Sequence, residues 1–219
     1  MIFRSYAAWF VSVAVTLLGV AASAAKATAQ TTYPFDVVYD INVLLTPITP
    51  EVSEASVSGF NADAPYGLTN FTSINNYSQF NPATGVFTFV PNAAQFGLEG
   101  LPVGVDRFFG SGDDQLFGSS NATAVINNAT GTLDGTGTIT ITGGSGRFVG
   151  ATGILNFSET EPLDQDPTAP LRGKAFLTGS FQTPQTVPEP RINLALVGVG
   201  VTGAGFLLRQ RRLRSARES

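Results

Sequence analysis

Two acidic pairs in this chain have a spacing that could do chemistry. Glu159 and Glu161 are separated by one residue in LNFSETEP, and Asp113 and Asp114 are adjacent in FGSGDDQLFG. Carboxylates at i and i+2 of an extended chain stand ~7 Å apart, near the separation at which glycosidases hold their two catalytic acids. Glu159 and Glu161 share a face with Leu155 and Phe157. The alternative is a pair of solvated carboxylates where a strand leaves the core. The following segment, EPLDQDPTAPLRG (161–173), favours that alternative, because it carries four charged residues and three prolines and reads as a long exposed loop.

The second pair matches most of a calcium-binding nonapeptide, G-G-x-G-x-D-x-U-x, with Phe109 where the first Gly belongs. In such repeats each ion lies between successive turns, so three or more copies are required. Neither GLPVGVDRF before the match nor SSNATAVIN after it repeats the pattern. Asp113 and Asp114 are therefore weak metal candidates. The stretch reads instead as a glycine-assisted turn at Ser111–Asp114 that launches a strand from Gln115 to about Ile126.

Composition narrows the chemistry further. The 219 residues include no His and no Cys. That excludes Ser–His–Asp and Cys–His triads, zinc–thiolate sites and disulfides. Carboxylates, Tyr, Lys and Arg remain as reactive groups. No phosphate-binding glycine loop is present, and no cofactor is implied.

The elements that must position these residues are strands. In FDVVYDINVLL, Phe35, Val37, Tyr39, Ile41, Val43 and Leu45 fall on one face, and Asp36, Asp40 and Asn42 on the other, as in a half-buried strand. TGTITIT (136–142), GVFTFV (85–90) and KAFLTGSF (174–181) read as further strands, with NPATG (81–85) and NNATG (127–131) as turns. In FNADAPYGLTNFTSINNYSQF (60–80) the aromatics read as core residues of a loop and strand rather than as a sugar-stacking face. The expected fold is all-β, an antiparallel barrel or, as the alternative, a β-sandwich.

The two ends carry targeting information. MIFRSYAAWFVSVAVTLLGVAASAAKATAQ has a short basic start, an apolar core and small residues, as in a secretory signal peptide over 1–29, with cleavage after Ala24 or Ala29. The β domain is expected over 30–182 and an extended linker over 183–191. Ile192 to Leu208 would span about 25 Å as a helix, close to the lower limit for crossing a membrane. Arg209, Arg211, Arg212, Arg214 and Arg217 follow in a tail over 209–219 and should remain cytoplasmic, leaving the preceding domain outside. Residues 30–186 hold four cations against 14 carboxylates, a net charge of −10. Such a domain repels nucleic acid and stays soluble.

Val187-Pro188-Glu189-Pro190, followed by the apolar helix and the Arg-rich tail, resembles the PEP-CTERM sorting signal. The resemblance covers only the last part of the chain. It implies recognition by an exosortase of a Gram-negative bacterium, processing near the Pro-Glu-Pro, and delivery to the cell surface in organisms that make exopolysaccharide. Within the domain, ITGGSGRFVGATG (141–153) resembles the signature of the allene oxide cyclase and dirigent-like barrels. On that pattern Gly143, Gly144 and Gly146 would permit a tight connection, Phe148 would cap the core, and Gly150 and Gly153 would mark a bulge or close approach. Members of that family isomerise fatty-acid epoxides or guide radical coupling. The resulting expectation is an exported, non-catalytic surface or matrix protein associated with the envelope or exopolysaccharide. The alternatives are a barrel that binds or isomerises a small apolar ligand, and a calcium-dependent adhesive module.

Overall fold

Alternation of apolar and polar side chains builds this domain strand by strand. In the first strand, β1 (Ala29–Pro47), Phe35, Val37, Tyr39, Ile41 and Val43 are buried while Asp36, Asp40 and Asn42 are exposed. The computed structural model describes residues 29–163 and 170–185, and the expected leader, Val187–Pro190 motif, 192–208 helix and arginine tail lie outside the described residues. Residues Gln30–Gln185 make up one compact unit.

Eight further strands follow: β2 (Val52–Phe60), β3 (Asn70–Asn81), β4 (Val86–Val90), β5 (Val105–Phe109), β6 (Gln115–Asn127), β7 (Thr132–Ser145), β8 (Thr152–Pro162) and β9 (Leu171–Gln185). They form a single antiparallel sheet in the order β2-β1-β9-β8-β7-β6-β4-β3-β5, and the extra pairing of β2 with β3 closes it into a ring. The short strands β4 and β5 lie end to end. β3 pairs with β5 through Asn70–Ile74 and with β4 through Tyr77–Asn81. β6 meets the same two strands through Gln115–Gly118 and Ala122–Val125. The nine strands thus occupy eight positions around the ring. Closure removes the open strand edges that would otherwise invite pairing with other chains.

One end of the ring is plugged by aromatic rings. Phe148 and Phe181 meet edge to face at 5.1 Å, Tyr33 stacks on Phe181 at 5.1 Å, and Tyr66 packs against both phenylalanines at 6.1 Å. Phe148 is fully buried. It follows Gly146, whose φ of +60° turns the chain between β7 and β8. Gly143 and Gly144 lie within β7 rather than in the connection, and Thr142 is the extra residue of a bulge where Phe117 pairs with Gly143 and Gly118 with Ile141. Gly153 marks a close approach, because a Cβ there would lie 2.6 Å from the Phe181 Cα.

Of the aromatics in residues 60–80, Phe71 and Tyr77 are buried and Phe60 and Phe80 are exposed. Tyr77 faces outward into a separate small cluster with Val52 and Ala93, and its hydroxyl donates to the Pro102 carbonyl at 2.7 Å. Two boundaries differ from the sequence reading. β8 continues through Glu161 and Pro162, so the loop expected from 161 starts later. β9 continues to Gln185, three residues past the expected domain end, because Phe181 and Thr183 still face inward and are buried.

The close approach at Gly153 gives a direct check. Gly153→Ala is expected to destabilise the domain by roughly 1–3 kcal/mol, the usual cost of overpacking. Thr152→Ala at the exposed neighbouring position should change stability little. Thermal melts of both variants measure the difference.

Candidate functional site

The inward face of β8 carries Leu155, Phe157, Glu159 and Glu161 in succession. The last three line an interior cavity of about 60 Å³ together with apolar residues that include Val43, Ile139 and Leu177. At roughly 10–15 Å³ for each water-sized sphere, the space suits about four to six non-hydrogen atoms. The expectation that Glu159 and Glu161 are solvated loop carboxylates is therefore corrected. Glu161 is 1 % exposed and Glu159 is part-buried, because β8 stays in the sheet to Pro162 and its two-residue period keeps both side chains inside.

Small residues on the neighbouring strands make the room. Gly135 of β7 pairs with Glu159, and a Cβ there would lie 2.7 Å from the Glu159 Cγ. A Cβ on Gly173 of β9 would lie 2.9 Å from the Glu161 Cγ. Gly137 does the same for Phe157, whose ring would lie 2.6 Å from an added Cβ. On its other side Glu159 pairs with Ala175.

Burial pushes the Glu159 carboxyl up to about 7. Glu161 is pushed up to about 8, first by burial and then by the negative charges of Glu159 and Asp134. Both therefore hold or exchange a proton near neutral pH, where a buried carboxyl serves as hydrogen-bond donor, acceptor or general acid–base.

A second polar group stands on other strands of the ring. Ser73 and Asn76 of β3 and Ser120 of β6 line the same cavity. The Asn76 amide donates to Ser73 Oγ at 2.5 Å and to Ser120 Oγ at 3.4 Å, and Ser120 Oγ donates to Asp106 Oδ1 at 3.3 Å. Asp106 is fully buried on β5, beside this network. Burial raises its pKa against the opposing hydrogen bonds of Ser73, Ser120 and Asn76. Three buried acceptors, Asn76 Oδ1, Asp106 Oδ2 and Glu161 Oε1, have no hydrogen-bond partner among the described residues.

Sequence reasoning missed Asp106, Ser73, Asn76 and Ser120. The available signal was parity: in VDRFF, Asp106 must face the same way as the core residue Phe108. Asn76 sits just past Asn75, whose positive φ of 56° marks the irregularity that changes the register of β3 against β2.

The calcium look-alike lies elsewhere. Ser111–Asp113 form a bend and β6 begins at Gln115. The Asp114 carboxylate accepts from the Arg147 backbone N–H at 2.7 Å and pairs with its Nε at 2.6 Å, and these contacts hold its pKa below the usual value. Ser145 Oγ donates to the Asp113 carbonyl at 2.6 Å. These contacts join the 111–114 bend to the β7–β8 connection. Among the described residues no group of three or more acidic side chains is placed to hold a metal ion.

The buried carboxyls make stability depend on pH. Glu159 and Glu161 have folded-state pKa values above their ordinary 4.5. The native state then binds more protons than the unfolded state between about 4.5 and 8, so stability falls as pH rises through that window. Asp114 and Asp134, whose values are lowered, act oppositely below about 3.8. Denaturant melts are expected to show a loss of roughly 2 kcal/mol or more between pH ~5 and ~8.5. The Glu159→Gln/Glu161→Gln double variant should lose the part of that slope that the two glutamates supply, while Asp106, also raised by burial, contributes a slope of the same sign.

Compared with protein-family models, with curated proteins and with solved structures, the chain matches none of them.

Proposed function

We propose that this chain is an exported surface or matrix protein of a Gram-negative envelope whose β domain binds a small molecule rather than transforming one. The ends of the sequence support export. A signal-peptide-like start and a PEP-CTERM-like finish imply the same topology, with Val187-Pro188-Glu189-Pro190 as the sorting motif and an exosortase as the processing partner. Association with exopolysaccharide follows from that resemblance alone.

The binding role rests on one observation, the interior cavity with apolar walls and a few inward polar groups, which is the usual composition of a small-ligand site. A closed sheet with eight positions is the size at which a barrel holds one small ligand. The ring, the bulge beside Gly143 and the buried Phe148 support placing the domain with the allene oxide cyclase and dirigent-like barrels. Fold likeness carries no reaction with it.

Replacing Pro188-Glu189-Pro190 with alanines is expected to abolish surface delivery, measured by cell fractionation and surface labelling. Unchanged delivery and processing would remove the sorting reading. For the cavity, small apolar compounds should shift the methyl NMR signals of Val43, Ile139 and Leu177. A panel that leaves all three unmoved would remove the binding reading.

A further inference from the structure

Among the described residues, acceptors around the cavity are left without donors. Glu161 Oε1 and Asn76 Oδ1 belong to residues that line it, both are buried, and neither has a hydrogen-bond partner among the described residues. Glu159 adds a second carboxyl to the same space. Asp106 Oδ2, just behind Ser120, is a third unpartnered acceptor. No Lys or Arg lines the cavity among the described residues, and nearby Lys174 is already paired with Asp40 at 2.6 Å. Unpaired buried acceptors are costly, and a buried carboxylate is tolerated when a cation pairs with it. The group that would complete this site carries several N–H donors and a positive charge, on an apolar body small enough for the remaining space.

Resting on the small-ligand reading above, we infer that the cavity recognises a short aliphatic primary amine in its ammonium form, with Glu161 as its principal partner. Its donors would be shared between the Glu161 and Glu159 carboxylates. The alkyl part would lie against Val43, Ile139 and Leu177. A secondary consequence is competition between the ligand and protons, since the amine binds the carboxylate form. Asp134, on the outer face of β7 between the inward Leu133 and Gly135, adds its negative charge at Glu161 and favours a cation there; Asp106 on β5 is the other fully buried carboxyl among the described residues.

The test compares three probes on the full chain, the isosteric pair propylammonium and 1-propanol and the anion propionate, followed through the methyl signals of Val43, Ile139 and Leu177. At pH about 8, propylammonium is expected to bind roughly tenfold or more tighter than propanol, and propionate more weakly than either. Glu161→Gln should erase the preference for propylammonium and leave propanol binding in place, which shows that the variant is folded and the cavity intact. Equal binding of propanol and propylammonium, or an unchanged preference in Glu161→Gln, would overturn the ammonium assignment while the small-ligand reading stood. If none of the three shifts the cavity methyls, both readings fail together.

Discussion

The site depends on the two-residue period of a single strand. Once Leu155 of β8 is packed in the core, Phe157, Glu159 and Glu161 must follow it inward for as long as the strand remains hydrogen-bonded on both sides. β7 and β9 hold β8 on both sides to Thr160, and β7 holds it as far as Pro162. Glu159 therefore cannot swing outward without shifting the register of three strands, nor Glu161 without shifting that of β8 against β7. Their position is imposed by the sheet, and their raised proton affinity follows from that position.

The neighbouring strands are composed to match. Glycines at 135, 137 and 173 and an alanine at 175 face Phe157, Glu159 and Glu161. Larger residues there would fill the cavity or expel the carboxyls. At the opposite end of the ring the aromatic plug of Tyr33, Tyr66, Phe148 and Phe181 supplies dense apolar packing. The ring thus separates a packed end, which holds the fold, from an end with residual space and polar groups. This division between scaffold and site allows the polar end to carry groups that would weaken a core packed throughout.

Much of the fold was legible in the sequence, because alternation is a local signal. The face of Phe35, Val37, Tyr39, Ile41 and Val43 could be read from spacing alone and is the buried face of β1. The turn before Gln115 was readable because an isolated calcium repeat has no partner, and the structure occupies Asp114 with Arg147. The carboxyl site was only half legible. The shared face of Glu159 and Glu161 with Leu155 was visible, but the charged, proline-rich segment after them suggested that the strand had ended. Pairing with β7 overrides that local polarity and extends β8 by two residues, to Pro162. The network of Ser73, Asn76, Asp106 and Ser120 draws on three strands, two of them not adjacent in sequence to the third, so beyond the parity that turns Asp106 inward no local pattern announces it. Its assembly depends on β4 and β5 sharing one position in the ring.

The central claim is that Glu159 and Glu161 lie inside the closed sheet. The most direct measurement is a carboxyl-carbon NMR titration of the two side chains in the intact protein. The structure predicts midpoints of about 7 for Glu159 and about 8 for Glu161. Midpoints of both groups near the ordinary glutamate value of 4.5 would place them in solvent and contradict the account.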